Sequence, residues 1–226
     1  MHYHTVVCGK FLSRPNRFIA VVRTEDGEQV CHVKNTGRCR ELLVPGAEVW
    51  LERAENPARK TGYDLIVVRK GERLINLDAQ APNKVFAEWA AEGNFLPEAA
   101  AIRPEYPYGA SRLDFCIETP GGKHLVEVKG VTLEENGFAR FPDAPTQRGV
   151  KHIGELRRAV KEGIDATLFF VVQMEGIRSV TPNDATHPEF GAALRAAVAA
   201  GVHVAAWDCS VTPDTLAIRR SVPVIL

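Results

Sequence analysis

The sequence predicts a mixed α/β chain in which an all-β N-terminal part precedes a sheet flanked by helices. Three observations carry this. Residues 5–80 hold short apolar runs separated by turn-forming residues. Residues 111–131 alternate apolar and polar side chains on both sides of Pro120-Gly121-Gly122, the pattern of a β-hairpin. Beyond the hairpin, helical periodicity alternates with apolar strand-like runs, the pattern of successive strand–helix–strand units.

In the N-terminal part, residues 18–22 and 30–33 flank a turn at Glu25-Asp26-Gly27-Glu28. Residues 49–51 follow Pro45-Gly46, and residues 64–68 follow Gly62. This length and spacing predicts a small barrel or sandwich. Residues 76–84 mix turn formers with polar residues and mark a boundary, dividing the chain into units 1–80 and 81–226. Asn83 is placed to cap a helix over residues 84–92 that Gly93-Asn94 ends. Phe86 and Trp89, three apart, face a core. Residues 104–108 read as a short strand ahead of the hairpin, with Glu105 either exposed on it or a further acidic ligand.

The hairpin holds the chemistry. With its turn centred on Gly121-Gly122, Asp114 faces Lys129 and Cys116 faces Glu127. Asp114 and Glu127 then lie diagonally on one face, roughly 7–8 Å apart. A one-residue slip would separate them. Two carboxylates converging beside a lysine suit Mg²⁺ or Mn²⁺, because Mg²⁺ takes one or two protein carboxylates and fills its other positions with water and phosphate oxygen. The lysine would orient water or stabilise developing negative charge. A surface salt bridge on a solvated strand gives the same spacing.

Thr146 is the expected N-cap of the next helix. Val150, Ile153, Leu156 and Val160 form its apolar stripe, with Arg148, Lys151, Glu155 and Arg158 opposite and His152 at the flank. Residues 167–172 read as a strand covered on both faces. Residues 188–200 read as a helix with Pro188 in its first turn, and residues 202–207 as the next strand, which implies a right-handed parallel crossover. His187, His203 and Asp208 lack metal-ligand spacing, and no glycine-rich phosphate loop is present.

Formal net charge is zero. Residues 1–80 hold 13 Lys/Arg against 10 Asp/Glu, and the remainder 15 against 18. The N-terminal unit is the better electrostatic partner for a phosphate backbone. The five cysteines include no C-x-x-C pair, so reduced thiols in a cytoplasmic protein are expected. No run approaches the ~20 apolar residues that span a bilayer, so no membrane partner is expected.

Asp114, then Glu127-Val128-Lys129, then a basic helix resembles the active-site core of PD-(D/E)XK nucleases. The longer string EVKGVTLEENGFARFPDAPTQRGVKHIGEL (residues 127–156) resembles the signature of the sugar fermentation stimulation protein A (SfsA) family. RFIAVV (residues 17–22) and NTGRCREL (residues 35–42) resemble that family's N-terminal motifs, and the resemblance covers nearly the whole chain. It implies an N-terminal OB-like barrel and a nuclease-like C-terminal unit that bind DNA, duplex or single-stranded. Asp114 and Glu127 would hold the metal, and Lys129 would act on the attacking water. In the basic cluster Arg14, Arg17, Arg38 and Arg40, the first three are the expected barrel contacts to nucleic acid. Through the motif TQRGVKH, Gln147, Arg148 and Lys151 would engage the scissile strand, while His152 of the same motif is either functional or an ordinary helix-flank residue. The expected function is a DNA-binding protein that cleaves phosphodiester bonds with a divalent metal. Two alternatives stay open: a non-catalytic DNA-binding regulator of sugar metabolism, and an enzyme acting on a small phosphorylated or sugar-derived molecule. A homodimer is left open.

Overall fold

The computed structural model describes residues 1–35, 37–56 and 58–226. Asn35-Thr36-Gly37 is a turn-forming sequence, and its Thr36 lies outside the described residues. Five strands form the N-terminal unit: β1 (Val6–Asn16), β2 (Ile19–Thr24), β3 (Gly27–Val33), β4 (Glu48–Arg53) and β5 (Tyr63–Lys70). They pair antiparallel in the order β3-β2-β1-β4-β5. Parallel pairing of β3 with β5, Cys31 opposite Tyr63 and Val33 opposite Leu65, closes the sheet into a barrel. Closure leaves few unpaired strand edges. β1 serves two neighbours: Val6 to Lys10 face β4, while Lys10 to Asn16 face β2 through two register shifts. Such irregularities bend a strand enough to wrap it around a small barrel. Ala20, Val22, Cys31, Val33, Leu51 and Leu65 fill the interior.

β6 (Arg73–Asn76) pairs with β5 and ends the barrel unit. Helix α1 (Ala81–Ala91) follows. It starts three residues earlier than its pattern suggests, because Pro82 fits the first helical turn. Asn83 therefore lies within the helix instead of capping it.

The C-terminal unit is built on β7 (Ala101–Tyr108), β8 (Ser111–Thr119), β9 (Gly122–Val131), β12 (Asp165–Val172), β14 (His203–Val211) and β15 (Leu216–Ser221). Their order is β15-β14-β12-β9-β8-β7. β9, β12 and β14 run parallel, with α2 (Gln147–Lys161) leading from β9 to β12 and α3 (Pro188–Ala199) from β12 to β14. β12 is central and buried from Ala166 to Val172, as its continuous apolar run demands. α1 covers the other face, where Phe86 packs on Phe115 and Phe169, and Trp89 on Trp207. The short strands β10 (Glu134–Glu135), β11 (Phe138–Phe141) and β13 (Ser179–Pro182) form a separate sheet. They are too short to carry a readable alternation.

Two sequence expectations are corrected here. The hairpin turn closes at Thr119 and Gly122, so Cys116 faces Leu125, not Glu127, and Asp114 does not face Lys129. The shift is two residues, and an even shift keeps every side chain on its face. In α2 the buried residues are Gly149, His152, Ile153, Glu155, Leu156 and Ala159. The buried face is thus rotated from the Val150–Val160 side toward His152 and Glu155, whose side chains reach Glu127 and the Ala110 N–H.

Polar contacts fix one unit against the other. Gln173 Nε2 donates to Asn76 O, Asn76 Oδ1 and Asp78 O at 3.1, 2.9 and 3.0 Å. Buried Glu134 receives Lys70 at 2.8 Å and Arg73 at 3.0 Å. Ahead of the barrel, His2 bridges to Thr215 and Tyr3 N donates to Asp214 O at 2.7 Å, so the first residues lie along the C-terminal unit.

Burial penalises the Glu134 charge, but Lys70, the Gly137 N–H and Arg73 outweigh it and hold its pKa below the ordinary value. Its contribution is then present above the unfolded carboxylate pKa of about 4.3 and is lost as pH falls through the lower folded value. Glu134→Gln should lower stability by about 1–3 kcal/mol at pH 7. In urea titrations the gap from wild type should narrow as pH is lowered through the carboxylate range.

Candidate active site

The ladder between β8 and β9 runs from Thr119–Gly122 to Phe115–Val126 and stops there. The Asp114 side chain takes the next backbone donor: Val128 N–H reaches its Oδ2 at 2.7 Å. Asn83 Nδ2, from α1, donates to Oδ1 at 2.8 Å. The carboxylate is pinned from two elements. Burial and the charge of Glu127 still raise the Asp114 pKa, with Lys129 acting the other way.

Glu127 is 1% exposed. Its Oε1 accepts from Lys129 Nζ and from His152 Nδ1 of α2. Burial works against its charge, but the His152 and Lys129 contacts outweigh burial and hold Glu127 below the ordinary carboxylate range. Among the described residues, its buried Oε2 has no hydrogen-bond partner. A buried, charged oxygen without a donor is costly unless a cation meets it.

The structure thus brings together Asp114, Glu127 and Lys129 and adds two residues for which the sequence pattern suggests other roles. That pattern places Asn83 at a cap and His152 at a helix flank; both reach the carboxylates. Cys116 is buried beneath the site among apolar side chains. Glu105 is exposed and pairs with Arg112 at 3.6 Å. His187 contacts Glu189, His203 stacks near His124, and Asp208 receives Arg220. These three are dispersed. Among the described residues, no group of three or more His, Cys, Asp or Glu side chains is placed to hold a metal. Asp114 and Glu127 form a two-carboxylate arrangement.

The basic residues divide. Arg14 donates to Gly37 O, Arg38 O, Arg17 O and Asn35 O at 2.7–3.0 Å. Its guanidinium is committed to the backbone and shapes the loop that displays Arg17 and Arg38, both exposed. Arg14, Arg17, Arg38 and Arg40 line a groove of about 360 Å³. Arg17 also borders a cleft of about 430 Å³ shared with Gly130, Thr146 and Gln173 of the second unit. On α2, Arg148 and Lys151 are exposed. Arg148 Nε donates to His152 Nε2 at 3.3 Å, and Lys151 Nζ to Ala110 O at 2.8 Å. Gln147 is turned to α3, donating to Glu189 at 2.8 Å. Thr146 caps α2 as expected, its Oγ1 accepting from Gly149 N at 3.0 Å.

Two family models match the chain. "SfsA N-terminal OB domain" covers residues 12–77 and "Sugar fermentation stimulation protein RE domain" covers residues 80–215. The chain belongs to the sugar fermentation stimulation protein (SfsA) family. It is 52% identical over 226 residues to a sugar fermentation stimulation protein homolog of Clostridium beijerinckii, spanning 100% of both chains. It is 55% identical over 216 residues to one from Desulfitobacterium hafniense strain Y51, covering 96% of this chain and 94% of that one. The structure of Pyrococcus furiosus SfsA in complex with Ca²⁺ superposes with a TM-score of 0.90 at 28% identity, covering 100% of this chain and 98% of that one. The barrel is therefore an OB domain, joined to a mixed α/β unit.

The Asn83 contact has a measurable consequence. Asn83→Ala removes a hydrogen bond to a charged, part-buried group and should cost about 1.5–3 kcal/mol in denaturant unfolding at pH 7. Lys84→Ala, on the exposed side of the same turn, should stay within about 0.5 kcal/mol of wild type.

Proposed function

We propose that this SfsA chain binds DNA and hydrolyses phosphodiester bonds with a divalent cation, Mg²⁺ or Mn²⁺, held by Asp114 and Glu127 in a PD-(D/E)XK-like arrangement. The carrying observation is Glu127 Oε2, a buried carboxylate oxygen without a donor, close to a second carboxylate whose ionised form burial disfavours. A cation there would relieve both penalties. The Pyrococcus furiosus relative was solved with Ca²⁺, which like Mg²⁺ takes oxygen ligands. When bound, such a cation supplies charge neutralisation at a phosphate and activates water.

The chain's own residues do the rest. Val128 N–H and Asn83 fix Asp114. Lys129 stands on Glu127 Oε1, where its ammonium orients a water and stabilises charge that develops on phosphate. Among the described residues, Arg17, Arg38, Arg40 and Arg148 have no carboxylate within ion-pair distance, whereas Arg23, Arg59, Arg73 and Arg103 each do. Arg17, Arg38 and Arg40 line the groove and Arg148 is exposed on α2; unpaired guanidiniums suit phosphates, which they bind bidentately. Arg14 supports this surface from behind, Lys151 adds charge beside Arg148, and Gln147 holds the helix start against α3. Free thiols at Cys8, Cys31, Cys39, Cys116 and Cys209 suit a reducing cytoplasm. Among the described residues, no helix is long and apolar enough to cross a membrane.

Mn²⁺ or Mg²⁺ at one hundred times its dissociation constant should stabilise the wild type by about 2.7 kcal/mol. The accompanying rise in melting temperature should vanish in Asp114→Asn and Glu127→Gln. In a supercoiled-plasmid nicking assay the same two variants should be inactive. Lys129→Ala should keep the thermal shift yet nick about 10²–10³-fold more slowly. Nicking that persists equally in all three would refute the catalytic assignment. Metal and DNA binding without cleavage of any nucleic acid would leave the regulator reading. Arg17→Ala with Arg38→Ala should flatten the dependence of log affinity on log salt, by about 0.9 for each duplex phosphate that is no longer neutralised.

A further inference from the structure

We infer that His152 is a positioning residue for the cation, and that Arg148 locks it in the one tautomer able to do this. The inference rests on the metal reading of Asp114 and Glu127. His152 is 5% exposed and bridges two partners. Its Nε2 faces Arg148 Nε at 3.3 Å. A guanidinium can only donate, so Nε2 must carry a lone pair. The proton of the neutral ring then sits on Nδ1 and is donated to Glu127 Oε1. That same oxygen also accepts from Lys129. With two donors on Oε1, the charge density left for a cation lies at Oε2, the oxygen without a protein partner. The Nδ1–H donor thus decides which oxygen of Glu127 is offered and fixes its rotamer.

Arg148 is exposed, and its Nε is the atom turned inward. The terminal nitrogens of the same guanidinium stay available to a phosphate at the mouth of the site. One side chain can therefore serve both a phosphate backbone and the ring that orients the metal-facing carboxylate. Lysine cannot do both, because it lacks the fixed second donor.

The test uses the full-length chain. Nitrogen-15 spectra of the histidine rings, with His152 assigned from its loss in His152→Asn, should show Nδ1 protonated and Nε2 bare in the wild type. Arg148→Lys should lose this signature while keeping its charge. Calorimetric Mn²⁺ titration should show about 10–100-fold weaker binding in His152→Ala, the usual effect of removing a residue that orients a metal ligand. His152→Asn, whose amide N–H stands near the Nδ1 position, should recover most of that loss. Arg148→Lys should bind Mn²⁺ several-fold more weakly at an unchanged metal-free melting temperature, which covers the case in which His152→Ala fails to fold. A wild-type ring protonated at Nε2, or Mn²⁺ affinity within twofold of wild type in both folded His152→Ala and Arg148→Lys, overturns the inference with the metal reading intact. A wild type that takes up no Mn²⁺, or an Asp114→Asn variant that titrates like it, overturns the metal reading and this inference together.

Discussion

The two hydrogen bonds on Glu127 Oε1 constrain everything else around the site. A carboxylate buried to this degree survives as an anion only with strong donors nearby. Lys129 comes from the same strand, two residues on, so β9 alone places one donor. His152 comes from α2, and its reach requires the helix to lie close to the sheet. α2 packs on β12 and β9, with His152 buried in its inward face. Shifting the helix outward would take away the His152 donor, and the Glu127 carboxylate would then be oriented from its own strand alone.

A second set of contacts links the two units. The loop of the barrel that carries Arg17 and Arg38 is shaped by Arg14, which directs its donors to four backbone carbonyls. Gly37 in that loop lies against the Asp143 carboxylate, so that a Cβ there would force the Asp143 side chain to shift. Asp143 stands just before the Thr146 cap of α2. Basic loop, connecting segment and α2 therefore touch in sequence. Gln173, at the end of the central strand, ties the barrel exit at Asn76 and Asp78 to the same sheet. A nucleic acid lying on the arginine groove would run toward the cleft that borders Gly130, one residue beyond Lys129.

Much of this was legible in the sequence because alternation and continuous apolar runs report strand burial directly. β12 was readable in this way, and alternation put Asp114, Glu127 and Lys129 on one hairpin face; reading those three as a site came from the family resemblance, and α3 was marked by Pro188 and Gly201 at its ends. The hairpin register was not, because Pro120, Gly121 and Gly122 permit either centre for the turn; the faces survived because the two choices differ by two residues. The carboxylate contacts of His152 and Asn83 were not legible, for a different reason. Their roles depend on tertiary contacts across 25 and 31 residues of chain, and local periodicity places one at a flank and the other at a cap. Glu155 is misplaced by the same rotation of α2; its side chain, expected on the charged face, is buried and accepts from Ala110 N at 3.3 Å. Arg14 looks like its neighbours in the sequence, and only its carbonyl partners separate it from them.

The central claim is that a divalent cation sits between Asp114 and Glu127 and meets Glu127 at Oε2. Anomalous diffraction from a crystal soaked in Mn²⁺ tests it most directly. The account predicts one strong peak within about 2.0–2.3 Å of Glu127 Oε2 and of an Asp114 oxygen, close to the octahedral metal–oxygen distances of small divalent ions, with Oε1 still held by Lys129 and His152. Manganese found only at other carboxylates, with Glu127 Oε2 still buried and unmet, would contradict it.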